Sequence, residues 1–359
     1  MDFGLSEEQE MLQETLKGFA EKECPTTRVR ELFDAGLGHD SALWSGLVEM
    51  GIAGLAIPEA YGGAGLELLD VALAAEVLGW AGMPGPFLGH SIAALAVAAG
   101  GSEAEKKAIL PGLASGEAIA TVALQEDDRG FAPGDWQTRF AEGRIDGTKT
   151  IVAHASIADR ILVGVAGGRF AWVDAKAQGI TLEDQGGVDR GRPIAKVRFD
   201  GAPAQLLSGG LDASERTLDA ASVLLAADAF GAATRLIELD VAYSQSRQQF
   251  GQPIAQFQAI KHAIARMATE IEPSRGIWWY AAHALDRGHA DASRQASIAK
   301  AHVTDRAMDM ARQSVELHGG YGFTWECEVQ MWFKRIMFDR SALGTPEQHR
   351  ERSARLGGW

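Results

Sequence analysis

The chain has 359 residues, 46% of them hydrophobic, enough to bury substantial cores and to divide into two or three domains. Its 34 Lys and Arg against 48 Asp and Glu give a net charge of −14, which opposes binding to nucleic acid or an anionic membrane surface while leaving room for an anionic small ligand held by a few local cations. Cys24 and Cys327 are too few and too far apart for a disulfide framework or a zinc site, so a reducing, cytoplasmic setting is expected.

The N-terminal residues Met1-Asp2-Phe3-Gly4-Leu5 lack a basic flank followed by an apolar run, which predicts no signal peptide. From Ser6 to about Gly116 the chain reads as helices. Ser6 and Gln9 fit a capping box, and Leu12, Leu16 and Phe19 recur at helical spacing. Pro58, Gly62-Gly63 and Pro84-Gly85-Pro86 mark turns.

The pattern then changes to strands, from about Ala118 to Gly210. Arg160 to Val165 and Arg169 to Val173 flank Ala166-Gly167-Gly168 as a hairpin. Val197 and Phe199 alternate with Lys196, Arg198 and Asp200 as a strand with one wet face, which Asp200-Gly201 is expected to end.

Long helices return after Leu211. Val223, Ala227, Phe230, Thr234, Ile237 and Val241 follow steps of three and four, predicting one continuous buried stripe. Gln295 to Leu317 forms a second long helix, stopped by His318-Gly319-Gly320. The Ala-rich stretches read as broken by charges or glycines before the ~20 residues that a membrane span needs. The expected division is a helical domain over residues 1–118, a β domain over 119–210 and a helical bundle over 211–359.

Taken singly, the motifs are bland. An Arg at the end of a helix, as Arg247 is here, is usually a favourable partner for the helix dipole. Gly62-Gly63-Ala64-Gly65 is an ordinary turn, the histidines show no metal-ligand spacing, and no metal is expected. In combination they point further. Glu59-Ala60-Tyr61-Gly62-Gly63, then a β region, Arg247-Gln248-Gln249-Phe250-Gly251 with Gln258, Ala296-Ser297-Ile298-Ala299-Lys300 and His318-Gly319-Gly320-Tyr321-Gly322-Phe323 follow one another along nearly the whole chain.

In that order the chain resembles acyl-CoA dehydrogenases. The resemblance implies a mainly α fold with a helical N-terminal domain, a β-barrel-like middle domain and a C-terminal four-helix bundle. It also implies FAD as cofactor, an acyl-CoA substrate, and α,β-dehydrogenation in which a carboxylate takes the α-proton and the flavin the β-hydride. The positions that would grip FAD from a neighbouring subunit are Arg247 at the diphosphate with Phe250 beside it, then Gln258, Gly319 and Gly320. A homodimer, or a heterotetramer with a second acyl-CoA dehydrogenase subunit, is therefore expected.

The chain departs from the family where the chemistry sits. The usual base precedes a Gly-Thr near the C-terminus, and here that position is Leu343, before Gly344-Thr345. The other known base position falls on Ala221. Asp228 is the nearest substitute, but it lies seven residues beyond Ala221, an axial offset of ~10 Å. Glu347 is a second, weaker candidate. In the middle domain, Leu124-Gln125-Glu126-Asp127-Asp128-Arg129-Gly130 lacks the hydroxyls that would bond the flavin, and Ile151-Val152-Ala153 lacks the aromatic that would pack on it.

Two functions follow. One is a base-lacking partner in a heteromeric enzyme for bulky acyl-CoA such as a steroid side chain, or for a fatty acyl chain. The other is a self-sufficient dehydrogenase with a non-standard base such as Asp228.

Overall fold

The computed structural model of the chain describes residues 4–127 and 131–359. Met1, Asp2 and Phe3 of the N-terminal reading, and Asp128, Arg129 and Gly130 of the segment in the middle domain, lie outside the described residues.

Helix α1 (Glu7–Glu23) opens on the predicted capping box. The Gln9 N–H donates to the Ser6 hydroxyl at 3.2 Å, and the Ser6 N–H donates to Gln9 Oε1 at 3.1 Å. Leu16 is fully buried, with Leu12 and Phe19 half-buried beside it. Then come α2 (Thr26–Ala35), α3 (Ser41–Glu49), α4 (Leu68–Ala81), α5 (Phe87–Gly100) and α6 (Glu103–Ala114). The predicted turns at Pro58 and Gly62-Gly63 fall between α3 and α4, and Pro84-Gly85-Pro86 separates α4 from α5.

Eight strands follow: β1 (Ala120–Ala123), β2 (Arg139–Ala141), β3 (Arg144–Ala153), β4 (Arg160–Val165), β5 (Arg169–Asp174), β6 (Ile180–Asp184), β7 (Ile194–Pro203) and β8 (Gln205–Leu206). They form two four-stranded sheets, ordered β1-β4-β5-β8 and β2-β3-β7-β6. Their inner faces share a core built on Ile145, Val152, Ile161, Val163, Val197 and Phe199. The predicted hairpin is present, with Val165 paired to Arg169. Along β7, Val197 and Phe199 are buried while Arg198 and Asp200 are exposed. The strand does not end at Asp200-Gly201 as expected, because Ala202 and Pro203 still pair with Ile145 and Arg144 of β3.

Helix α7 (Leu211–Ser246) is the axis of the remaining fold, followed by a short hairpin of β9 (Gln248–Gln249) and β10 (Gln252–Pro253). Helices α8 (Gln258–Ile271), α9 (Ser274–Asp286), α10 (Ala292–Leu317), α11 (Val329–Ser341) and α12 (Pro346–Leu356) complete the chain. The stripe predicted for α7 is corrected in both directions. Every residue from Thr217 to Ala233 is buried, because α4, α5, α9, α10 and α11 surround the helix, whereas Val241 at its far end is 37% exposed. By length and composition α7 also passes as a membrane span, contrary to the sequence reading, but 83% of its apolar stretch is buried against the rest of the chain, as in a core helix.

Two glycines let α4 and α7 touch backbone to backbone. A Cβ on Gly79 would stand 2.2 Å from the Asp228 carbonyl oxygen, and one on Gly231 would stand 1.9 Å from that of Glu76. This crossing seats Asp228 at the junction of the N-terminal helices and the bundle.

Candidate active site

Between α5, β1, β3 and the C-terminal end of α11 lies a cavity of ≈ 50 Å³. Leu88, Ile92, Leu124, Ile151, Leu225 and Leu343 give it a largely hydrocarbon wall. Thr121, Gln125, His154 and Arg192 are the polar groups on it, and no Asp or Glu is among its described lining residues. A general base must reach the proton that it removes. Among the described lining residues, no carboxylate is in place to do so.

Leu343 sits on this wall in a left-handed backbone conformation, φ +54°, followed by Gly344 at φ +102°. A leucine held there costs roughly 1–2 kcal/mol, and buried donors maintain the turn. Lys300 of α10 donates from Nζ to the Gly344 carbonyl at 3.0 Å and to that of Arg340 at 3.2 Å. His349 donates from Nε2 to the Leu343 carbonyl at 2.9 Å. Burial pulls the Lys300 ammonium down to about 7, with Asp339 opposing, and burial together with the Lys300 charge pulls His349 down to about 3. Lys300 was visible in the sequence only as part of an Ala-rich match. Its role at this turn needed the fold. Ala221 is fully buried in α7 and does not line the cavity.

Asp228 is bound to cations. Arg335 donates from Nε to Oδ1 at 2.8 Å and from Nη2 to Oδ2 at 2.7 Å, while Arg192 Nη2 stands 2.6 Å from Oδ2. Arg192 also donates to Asp339, and Asp189 lies 3.9 Å from its Nε. Burial alone would raise the Asp228 carboxyl, but Arg192 and Arg335 outweigh it and hold the group well below the ordinary carboxylate range. Asp339 is pushed the other way, by burial and by Asp228 beside it, against the pull of Arg192. Three carboxylates thus face two guanidiniums, with Asp228 pushed toward its charged form and Asp339 toward its neutral one. Sequence reasoning singled out Asp228 but missed Arg192, Arg335 and Asp339. Glu347 is exposed in the first turn of α12, paired to Arg340 at 3.0 Å and absent from the cavity wall.

On the middle-domain side the groups that could meet a flavin are mostly engaged. The Thr121 hydroxyl donates to the Ala153 carbonyl at 2.6 Å, and the Ile151 N–H donates to Gln185 Oε1 at 3.0 Å. Ile151 itself lies at φ +53°, a conformation that β-branched residues rarely adopt. Gln125 offers a buried oxygen with no partner among the described residues. Behind it, Lys149 pairs with Glu126 at 2.8 Å, and Glu126 also accepts from the Thr138 N–H and hydroxyl. At ≈ 50 Å³ the cavity is well short of the ~300 Å³ at the lower end of small-molecule sites.

At the far end of α7 and α10 lies an open groove of ≈ 620 Å³. It brings together Arg247, Gly319 and Gly320, three of the five positions expected to grip FAD from a neighbouring subunit. Gly319 caps α10 at φ +61°, and a Cβ at Gly320 would meet nothing, so the backbone is open to a close ligand. The Arg247 guanidinium has no recorded partner among the described residues, and its fork suits phosphate oxygens. Phe250, 92% exposed, and Gln258, exposed at the start of α8, do not line this groove. The groove fits a diphosphate, and the cavity as it stands does not fit a flavin ring.

The family model described as "Acyl-CoA dehydrogenase, C-terminal domain" matches residues 208–357, and "Acyl-CoA dehydrogenase, N-terminal domain" matches residues 6–117. The acyl-CoA dehydrogenase IpdE2 of Mycolicibacterium smegmatis is 33% identical over 349 residues, 97% of this chain and 98% of that protein. Among solved structures, the Tcur3481-Tcur3483 steroid ACAD G363A variant superposes with a TM-score of 0.91 at 30% identity, over 98% of each chain. The ChsE4-ChsE5 complex from Mycobacterium tuberculosis gives 0.91 at 25% identity, over 100% of this chain and 99% of that one.

Proposed function

The chain belongs to the acyl-CoA dehydrogenase family, and on that premise we propose that it acts as the base-lacking subunit of a heteromeric enzyme. It is an oxidoreductase of that family, with FAD as cofactor and an acyl-CoA thioester as substrate. FAD, when bound, supplies the acceptor for the β-hydrogen. This chain's part is to present Arg247, Gly319 and Gly320, with Phe250 and Gln258 nearby, to FAD carried mainly by a catalytic partner. We take residues 1–118, 119–210 and 211–359 as its domains and the cytoplasm as its location.

One observation carries the reading: among the described residues, the wall of the cavity at position 343 has no carboxylate. The retention of the groove beside the loss of the base is what a supporting subunit requires. Two of the similar structures are named as pairs of components, one of them as a steroid ACAD, which favours a heteromer acting on a bulky acyl group. The alternative, a self-sufficient enzyme with Asp228 as base, is opposed by the two guanidiniums that engage both oxygens of that carboxylate.

The test is to assay acyl-CoA oxidation by the chain purified alone and by the chain co-expressed with a second family member. Turnover that needs the partner and survives Asp228→Asn supports the proposal. Robust turnover by the isolated chain, abolished by Asp228→Asn, sinks it.

A further inference from the structure

We propose that a chain of buried waters runs from the cavity beside Leu343, past Asp228, to Asp189, with the guanidiniums of Arg192 and Arg335 as its fixed links.

Two smaller cavities adjoin the one at Leu343. The first, ≈ 20 Å³, lies between Trp44 of α3, Met83, Phe87, Asp228 and Arg335, and it shares Gly85, Leu88 and Arg192 with the wall of the larger cavity. The second, ≈ 10 Å³, lies between Phe33, Asp189 and Gly191, and it shares Pro84 and Arg335 with the first. One water needs ~10–15 Å³, so the smallest cavity has room for one and the largest for several.

Each of the three walls carries a buried polar atom with no hydrogen-bond partner among the described residues. These are Gln125 Oε1 on the largest, the Trp44 indole Nε1 on the middle one and Asp189 Oδ2 on the smallest. A buried polar atom costs free energy until it is bonded. The indole only donates and the amide oxygen only accepts, so the occupant has to do both. An anion gives nothing to Gln125 and a cation gives nothing to Trp44. Water serves both and fits each space. Burial pushes the Asp189 carboxyl up, and water can meet its Oδ2 either as a carboxylate oxygen or as a hydroxyl.

The links are in place. A guanidinium carries five N–H groups. Arg335 gives three of them to the two Asp228 oxygens and the Met83 carbonyl, which leaves two for water in the cavities on either side. Arg192 lies on the walls of the two larger cavities, and its Nε stands 3.9 Å from Asp189 Oδ2, too far for a direct hydrogen bond. Gln125, Arg192, Trp44, Arg335 and Asp189 thus follow one another along the row, with space for a water at each step. Two fixed positive charges on this row oppose the passage of a hydronium, so the waters hydrate the buried charges and do not carry protons to the cavity. A ligand entering beside Leu343 displaces only the water at Gln125.

The test is a high-resolution crystal structure of the full chain, from crystals grown with and without bromide, together with NMR of the chain labelled with ¹⁵N-tryptophan. Density for a water is expected within hydrogen-bond distance of Trp44 Nε1, of Asp189 Oδ2 and of Gln125 Oε1, with no anomalous bromide peak at any of them. The Trp44 indole resonance, identified by its loss in Trp44→Phe, should show a through-space cross-peak to water in the unsubstituted chain. Absence of density at Trp44 or at Asp189, or an indole proton without the water cross-peak, breaks the chain and overturns the proposal. A bromide peak at these positions makes the occupant an anion and overturns it too.

Discussion

Arg335 on α11 holds Asp228 on α7 in a two-point fork, Nε to Oδ1 at 2.8 Å and Nη2 to Oδ2 at 2.7 Å. The pair is buried, and Arg192 closes on the same carboxylate from the middle domain at 2.6 Å. Arg335 also donates to the Met83 carbonyl at 3.0 Å, so one cluster ties all three parts of the chain together. A carboxylate in this setting acts as a clamp, because two cations stabilise its charged form and weaken its affinity for a proton.

Breaking the clamp should therefore cost stability before it costs chemistry. Asp228→Asn leaves two buried guanidiniums short of a counter-charge and is expected to lower the unfolding free energy by about 3–5 kcal/mol. Urea denaturation of the variant beside the wild-type chain measures this. An unchanged midpoint, together with lost turnover in the assembled enzyme, would return Asp228 to the role of base.

Position 343 gives a sharper expectation. The isolated chain should oxidise straight-chain acyl-CoA ~10²–10⁴-fold more slowly than a member with its base in place. Leu343→Glu should not restore the rate by itself, because the cavity beside it is only ≈ 50 Å³ and its flavin-facing hydroxyl and N–H are already engaged. Steady-state assays of both proteins with excess FAD decide the point. Turnover created by Leu343→Glu alone would mean that only the base is missing.

The same engaged groups bear on cofactor content. The chain purified alone should carry FAD well below one per chain, and co-expression with a catalytic family member should raise it. A visible spectrum of each preparation, with protein determined separately, reports this directly. A full equivalent of tightly held flavin in the isolated chain would contradict the expectation.

Acid should unfold this protein through its buried histidines. His90 accepts the Ala120 N–H at Nδ1 and faces the Leu113 carbonyl with Nε2, an arrangement that suits only the neutral ring. Burial pulls His90 and His154 down to about 4 and His349 to about 3. The unfolded chain binds these protons at about pH 6.5 and the folded chain resists them, so stability is present above that pH and is lost as pH falls toward 4. Between pH 7 and pH 5 the loss should be about 2 kcal/mol per histidine. Denaturant midpoints across that range check it, and a flat profile would contradict it.

Much of the architecture was legible in the chain. The Ser6–Gln9 box, the Val165–Arg169 hairpin and the glycine stop after Leu317 are local devices, set by hydrogen bonds and dihedral preferences within a few residues. Periodicity misjudged α7 because a pattern of apolar residues reports amphipathicity, and a helix enclosed by five others has no wet face over its middle.

By itself the sequence determined the order of helical and β segments, the family and the absence of a carboxylate at positions 221 and 343, since these depend on which residue stands where. Only the tertiary structure decided what the remaining charged groups do. Asp228, Arg192 and the α11 residues Arg335 and Asp339 come from three distant stretches of the chain, and nothing local distinguishes a buried clamp from four solvated charges. The close approach of α4 and α7 at Gly79 and Gly231 takes Asp228 out of water, and once it is there the surrounding guanidiniums, not its residue type, set its protonation.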